Sequence, residues 1–403
     1  ITDKLLQTSQ LALKGDEQWK VEFDAMVDRH HKMIDTIITE TTDRENLFKS
    51  VDALFEQLRS IYFGVYLIHD LSEKTQDAIV SYGERLSSKI VATLIRGAKW
   101  FDSRNFIKTE RINGKGKHTL DSELTNKLVK EAFAELPRIS LVPGFISRDK
   151  NTERTTNLGR GGSDYTASLI GAALPADEIQ IWTDIDGMHN NDPRVVEHTE
   201  AVRQLNFEEA AELAYFGAKI LHPTCVQPAK YAGIPVRLKN TMDPKADGTI
   251  IDNVIVRGKI KAVAAKDNIT AIKIKSSRML LATGFLRKVF EIFESYQTPI
   301  DMIATSEVGV SMSIDNDTHI NDIVNELKKY GTVTVDSDMC IICVVGDLDW
   351  SNVGFETLAT DAMKNIPVRM ISYGGSNYNI SFLIKEKDKK QALQNLSNVL
   401  FDK

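Results

Sequence analysis

Asn157-Leu-Gly-Arg-Gly-Gly-Ser-Asp164 is the stretch around which the rest of the chain falls into order. Glycines let a backbone approach a ligand closely, and the free N–H groups and dipole of a helix start favour an anion. Arg160 adds a planar fork suited to a carboxylate or phosphate. The plainer reading is a turn in which Ser163 or Asp164 caps the helix that follows. That helix is predicted from Tyr165 to Leu174, and short apolar runs alternate with helical patterns around it. Arg138 to Ile146 reads as a strand, Glu178 to Trp182 as a strand, Phe207 to Lys219 as a helix and Ile234 to Leu238 as a strand. Strand and helix in alternation imply an α/β class with a mostly parallel sheet covered by helices on both faces, three layers in all. Ligands in such sheets sit beyond the carboxyl ends of the strands, which directs the search to the loops after Ile146 and Trp182.

Toward the N-terminus, apolar residues recur at helical spacing from Asp16 to Leu71, through Phe23, Met26, Val27, His30, Ile34, then Leu47, Val51, Leu54, Phe55, Leu58 and Tyr62. A long helical hairpin is expected. The adjacent His30 and His31 invite a metal reading, but neighbours on a helix do not face one another and no second ligand pair stands at a matching spacing. No metal site is expected. The chain opens on Ile1-Thr2-Asp3 with neither methionine nor a leading strand, which reads as a missing true start.

Toward the C-terminus, Lys239 to Gly248, with Pro244, is the best candidate boundary. Beyond it the stretch from Pro299 to Ile314 is echoed, 68 residues later, by Pro367 to Phe382. Each copy is a pair of strands between helices, at Phe285 to Tyr296 and Ile320 to Tyr330 for the first, Phe355 to Asn365 and Lys389 to Leu400 for the second. Two tandem β-α-β-β-α-β units of the ferredoxin-like kind fit this pattern, with exposed edges that invite pairing with another copy.

Of the three cysteines, Cys225, Cys340 and Cys343, the last two form a C-x-x-C inside an apolar strand, where positions three apart face opposite sides, so core packing is expected. Three cysteines are far too few for a disulfide-stapled secreted scaffold of 403 residues. A net charge of −6 argues against a nucleic-acid binder, and no apolar run approaches the roughly 20 residues that span a bilayer. The expected setting is cytoplasmic. Hydrophobic residues at 42% and charged residues at 26% suit two or three compact domains.

Three more stretches carry candidate chemistry. Trp182-Thr-Asp-Ile-Asp-Gly-Met-His-Asn-Asn-Asp-Pro-Arg194 places dense polar groups at a strand's carboxyl end, as either a nucleotide edge with Arg194 open to phosphate or a solvated loop. Phe216-Gly-Ala-Lys-Ile-Leu-His-Pro223 ends a helix on Lys219, which on its own would merely complement the helix dipole. Ser81-Tyr-Gly-Glu-Arg85 sets Glu84 after a glycine at an expected helix start, where an acidic residue is also unremarkable.

Together and in this order, S-x-G-E, G-R-G-G-S-D, W-T-D-x-x-G-x-x-x-x-D-P-R and F-G-A-K-x-L-H-P resemble the aspartokinase family of the amino-acid kinase superfamily, and the doubled module resembles that family's paired ACT domains. The resemblance implies an amino-acid kinase domain over 1–255, a first ACT domain over 268–340 and a second made of 256–267 with 341–403. It implies an ATP-dependent phosphotransferase forming 4-phospho-L-aspartate, the first step of lysine, threonine and methionine biosynthesis. Glu84 and Arg160 would hold the two ends of aspartate, with Thr2, Gly161, Gly162 and Ser163 lining the pocket. Asp164 would organise the polar network, and Thr183, Asp184, His189, Arg194 and Lys219 would meet ATP, with Lys219, Asp164 and Arg160 as the catalytic set.

Aspartate's side chain has a pKa near ~4, so the nucleophile is ionised at neutral pH and no general base is needed. Bringing it against a polyanion calls for lysine, arginine, backbone N–H groups and Mg2+. Three departures from the family stand out: its opening K-F-G-G-T is absent from this chain, His189 replaces a common tyrosine, and Asp186 replaces a common proline. In the first ACT module Met279, Phe285, Leu286, Asp301, Thr305, Ser306 and Glu307 match positions where lysine-sensitive members bind their effector; Asp301 would meet its ammonium and the N–H groups near Gly284 its carboxylate. Filling of the module core is the alternative for each. Lysine is the expected effector, and a homodimer or dimer of dimers the expected assembly. The stop after the last helix favours a monofunctional enzyme over a fusion to homoserine dehydrogenase. The rivals are another amino-acid kinase, acting on a glutamate derivative, carbamate or a nucleotide, and a catalytically dead amino-acid-binding regulator.

Overall fold

The computed structural model describes residues 1–111, 118–217, 223–276 and 283–401. It divides into two compact units, Ile1–Ile179 with Thr224–Ile234, and Gln180–Pro223 with Pro235–Lys403.

The first unit opens with α1 (Thr2–Leu13), α2 (Gln18–Ile37), α3 (Thr41–Ile68) and α4 (Glu73–Leu94). The expected hairpin is α2 with α3. Trp19, Phe23, Met26, His30 and Ile34, spaced by three and four, form one buried stripe that meets Leu47, Val51, Phe55, Leu58 and Tyr62. The Phe23 ring stands edge-on to Phe55 and Tyr62 at 5.9 and 6.0 Å, the arrangement ring quadrupoles favour. The Tyr62 hydroxyl donates to the Leu5 carbonyl at 2.9 Å, tying α1 to the pair. His30 bonds to the Met26 carbonyl through Nδ1 and His31 meets Asp52, so both histidines are structural. Among the described residues no group of three or more His, Cys, Asp or Glu side chains could hold a metal ion.

Short strands follow: β1 (Ala98–Trp100), β2 (Lys108–Glu110), β3 (Thr119–Leu120), β4 (Ile139–Leu141), β5 (Ile146–Asp149) and β6 (Thr155–Asn157), with helices α5 (Ser122–Ala132) and α6 (Gly162–Ala173). β1 pairs with β4 in parallel, while the others form a sheet in the order β3-β2-β5-β6. Only β2 and β5 run parallel in that sheet; the short link 150–154 returns β6 antiparallel to β5, so the sheet is mixed where a mostly parallel one was expected. The single strand predicted from Arg138 to Ile146 is two. Pro143 removes a ladder donor, and Phe145 takes a left-handed φ of 69°, so the backbone turns between β4 and β5. The turn at 142–145 therefore precedes Ile146, where the single predicted strand had none.

In the second unit β7 (Ile179–Thr183), β8 (Gln204–Asn206), β9 (Val236–Asn240) and β10 (Thr249–Asp252) pair in the order β7-β9-β10-β8. The stretch from Lys239 to Gly248 links β9 to β10 inside this sheet, with Thr249 opposite Leu238, so it is a hairpin connection and not a boundary. Helix α7 (Phe207–Tyr215) starts in a capping box between Asn206 and Glu209. It ends short of the predicted Lys219 because Gly217 turns out at φ 121° and passes so close to β11 (Ile260–Lys275) that a Cβ would overlap the Ala265 carbonyl. The helix α8 (Pro223–Ala232) returns the chain to the first unit.

The remaining elements are α9 (Phe285–Ser295), β12 (Met302–Ser306), β13 (Gly309–Ile314), α10 (Ile320–Leu327), β14 (Thr332–Gly346), α11 (Phe355–Ala362), β15 (Val368–Tyr373), β16 (Asn379–Lys385) and α12 (Lys389–Leu400). The repeat expected from the sequence is present, but as one six-stranded antiparallel sheet in the order β12-β13-β11-β14-β16-β15. β11 and β14 each run through both modules, paired from Ile260 opposite Gly346 to Lys275 opposite Thr332. Their register shifts around Ile269, and Asn268 and Asp338 take left-handed φ values of 58° and 56° at the junction. Each half keeps its own core: Ile272, Phe285, Val289 and Met312 in one, Cys340, Ile342, Phe382 and Leu393 in the other. Cys340 and Cys343 are free and fully buried, and burial pushes both thiols up. Among the described residues no helix is long and apolar enough to cross a membrane.

Candidate functional site

In the first unit the glycine loop is built by its neighbours. Gly161 occupies the N-cap of α6 at φ 71°, a left-handed conformation that costs glycine little. A Cβ on Gly144 would lie 2.9 Å from Ser163 Cα, so the loop between β4 and β5 can approach the opening of α6 only as glycine. The Gly159 amide donates to Asn157 Oδ1 at 2.9 Å, and Asn157 Nδ2 donates to Asp77 Oδ1 at 2.6 Å. Cys225 on α8 reaches the Gly161 carbonyl at 3.0 Å. Arg160 is exposed at the loop's tip, and Asp164 is half-buried in the first turn of α6, where burial raises its pKa.

Glu84 does not start a helix: it lies in the middle of α4, because the apolar spacing continues through Ser81 and Gly83 in both directions. It is half-buried, and burial holds its carboxyl above the usual range. Asp77 stands seven residues, two turns, before it on the same face of α4. Burial, with the Glu73 charge second, raises Asp77 to about 6. A Cβ on Gly83 would meet Ile1 at 2.9 Å, so the start of α1, where Thr2 is exposed, runs directly against the turn that carries Glu84. An acid, an arginine and a helix N-terminus are what a small zwitterion with a second carboxylate requires.

In the second unit a cavity of about 760 Å³ is lined by Thr183, Asp184, His189, Asp192, Arg194, Gly217, Lys266 and Lys389, with Met188 and Val263 among its apolar groups. The Thr183 hydroxyl donates to Asp184 at 3.1 Å. His189 has both ring nitrogens engaged, Nε2 2.7 Å from Asp186 Oδ1 and Nδ1 2.8 Å from Thr199 Oγ1. Arg194 is largely exposed but clasped by Asp192 in a two-toothed pair with both contacts at 2.9 Å, and that hydrogen bonding holds Asp192 below the usual carboxylate range. Lys219 lies outside the described residues, as does Met279. Sequence reasoning missed Lys266 and Lys389, the latter paired with Asp267 at 2.6 Å. Neither belongs to a motif; one sits in a strand and the other at a helix start, and only the fold brings them to the cavity.

The remaining expected effector residues are divided by the fold. Phe285 is buried in the first module's core. Leu286 is exposed on α9, which opens on Gly284 at φ 89°. Thr305 and Ser306 end β12, and Glu307 is exposed in the turn after it. Asp301 has a side chain only 1% exposed and already holds a cation, Lys266 Nζ at 2.7 Å.

The described residues thus contain a glycine-capped helix in a mixed α/β framework and a ferredoxin-like double module. The amino acid kinase family model matches residues 15–240, and an ACT domain model matches residues 342–400. Lysine-sensitive aspartokinase 3 of Escherichia coli is 35% identical over 351 residues, covering 81% of this chain and 75% of that protein. Aspartokinase 1, chloroplastic, of Arabidopsis thaliana is 36% identical over 368 residues, covering 86% of this chain; the chain spans 64% of that relative's length. The crystal structure of E. coli aspartokinase III in complex with aspartate and ADP, described as the R-state, superposes with a TM-score of 0.82 at 31% identity, covering 98% of this chain and 91% of that one. The chain belongs to the amino acid kinase family and, within it, to the aspartokinases.

Proposed function

We propose that the chain transfers the γ-phosphate of ATP to the side-chain carboxylate of aspartate, giving 4-phospho-L-aspartate and ADP. The observation that carries this reading is the exposed Arg160 on a loop fixed by Gly161 and by the Asp77–Asn157 bond, with Glu84 on the α4 face that supplies that bond. Glu84 takes the amino group of aspartate and Arg160 its α-carboxylate. Thr2, Gly161, Gly162 and Ser163 line the pocket, and Asp164 organises its polar groups.

The cavity bearing Thr183, Asp184, His189 and Arg194 takes the nucleotide, and Lys219 completes the phosphate contacts. The Thr183 hydroxyl and Asp184 carboxylate are oxygen donors of the kind Mg2+ accepts beside nucleotide phosphates, so their chemistry fits the ion. Bound there, Mg2+ would offset phosphate charge. The aspartate carboxylate is its own nucleophile, so this chain's residues need only position and neutralise.

The same reading assigns 1–255 to the kinase, 268–340 to the first ACT domain, and 256–267 with 341–403 to the second. The continuity of β11 and β14 through both modules supports the split assignment of the second. Lysine is the effector, bound in the first module near Asp301, with pairing of ACT edges between copies giving a homodimer. The family's lysine-sensitive E. coli member supports that choice. The buried free cysteines suit a reducing, cytoplasmic setting.

The test is hydroxylamine trapping of the acyl phosphate with ATP, magnesium and aspartate, with and without lysine. Aspartate-dependent hydroxamate that falls with lysine is expected. A folded, ADP-binding protein that yields none would overturn the aspartate kinase reading and leave its two rivals, a kinase of another substrate and a dead regulator, and inhibition by threonine but not lysine would reassign the effector.

A further inference from the structure

Lys266 belongs to two places at once. It lines the cavity that holds Thr183, Asp184 and Arg194, and its ammonium lies 2.7 Å from Asp301 Oδ1 and 3.0 Å from Asp315 Oδ2. It also sits 4.4 Å from the ring centroid of Tyr215, whose hydroxyl donates to the same Asp301 Oδ1 at 2.9 Å. Tyr215 is the last residue of α7, two before the cavity-lining Gly217.

One ammonium here serves two carboxylates, so these groups retain one uncompensated negative charge. The Asp301 side chain is only 1% exposed, and its other oxygen, Oδ2, is buried with no hydrogen-bond partner among the described residues. A buried, unpaired carboxylate oxygen is costly, and a second cation arriving there relieves both the charge and the missing bond. The ligand chemistry this fits is a primary ammonium.

We propose that Lys266 couples the nucleotide cavity to the effector site: an effector ammonium at Asp301 shares the carboxylates that hold Lys266 and changes the positive charge it presents to an anionic nucleotide. The inference rests on reading the cavity as the nucleotide site and Asp301 as the effector site. Tyr215, sharing the Asp301 oxygen, carries the same change into the segment leading to Gly217. By linkage, nucleotide and effector alter each other's affinity by one common factor.

The test is calorimetric titration of the full chain with ADP and magnesium, with and without lysine, in the wild type, Lys266→Met and Tyr215→Phe. Lysine is expected to change the wild-type ADP Kd by about 5- to 150-fold, and Lys266→Met to bring that ratio within about twofold of one. A folded Lys266→Met that keeps the wild-type ratio overturns the proposal. Should that variant fail to fold, Tyr215→Phe decides: a reduced ratio supports the coupling and an unchanged one overturns it. A wild type that binds ADP without any lysine effect overturns the coupling and leaves the kinase reading standing. A wild type that binds no ADP removes the nucleotide reading, and the inference with it.

Discussion

Asp186 Oδ1 lies 2.7 Å from His189 Nε2, so the two positions in the strand-end loop that the sequence singles out as unusual are bonded to each other. The bond holds Asp186 below the usual carboxylate range, and Thr199 occupies the other ring nitrogen, so both nitrogens of the imidazole are engaged. The pair is expected to act as a unit. In a cycle of Asp186→Pro, His189→Tyr and both together, ADP affinity should show a coupling of about 1 kcal/mol, the double variant binding better than the single losses add up to. Additive losses would mean the two departures are independent.

Arg160 is exposed, and a planar guanidinium can take a carboxylate in a two-toothed bond. Arg160→Ala should raise the KM for aspartate by about 10- to 100-fold, the worth of a charged hydrogen-bonded pair, and leave ADP binding unchanged. Arg160→Lys should recover little of it, since an ammonium lacks the planar fork. Steady-state kinetics with aspartate varied measures this, and an unchanged KM removes Arg160 from the site.

Asp77 gives a pH signature. Its folded pKa of about 6 lies above the unfolded value near ~3.9, so the native state favours the protonated form. Its effect on stability is therefore neutral below pH ~4, turns unfavourable as pH rises to about 6, and stays so above. Asp77→Asn still accepts from Asn157 and should gain about 1 kcal/mol over wild type at pH 7.5, allowing for a group half open to solvent, and nothing near pH 4. Thermal melts at the two pH values test this; equal gains at both would mean burial of the charge is not the cause.

Phe23 is fully buried where α2 meets α3, between Phe55 and Tyr62. Phe23→Ala should cost about 3–5 kcal/mol and lower the melting temperature. Because α4 packs in the same core, with Leu86 two residues beyond Glu84, the KM for aspartate should rise as well. Denaturant titration reads the first effect and kinetics the second. A loss below about 1 kcal/mol would mean the helical layer repacks around the gap.

How much of this was legible in the sequence depends on how local each feature is. The helix Lys389–Leu400 and the opening of α6 at the glycines follow from spacing and capping within a few residues. The course of β11 does not, because Lys266-Asp267-Asn268 reads as a polar break, while the backbone carries the strand across it through a register shift. The run from Arg138 to Ile146 hid its turn for the opposite reason, apolar residues flanking Pro143-Gly144. Within the candidate sites, the motif residues stand out in the sequence because their type and order are distinctive. Asp77 and Lys266 were missed because their partners, Asn157 and Asp301, stand 80 and 35 residues away.

The continuous strands β11 and β14 also set a timetable for the growing polypeptide. Ile260 finds its partner only at Gly346, so the ribosome must add the whole intervening module before the strand that opens the second one can be paired. At roughly 5–20 residues per second, that strand waits on the order of 4–17 seconds with its ladder unfilled, exposed to chaperones and to the matching edge of a neighbouring nascent chain.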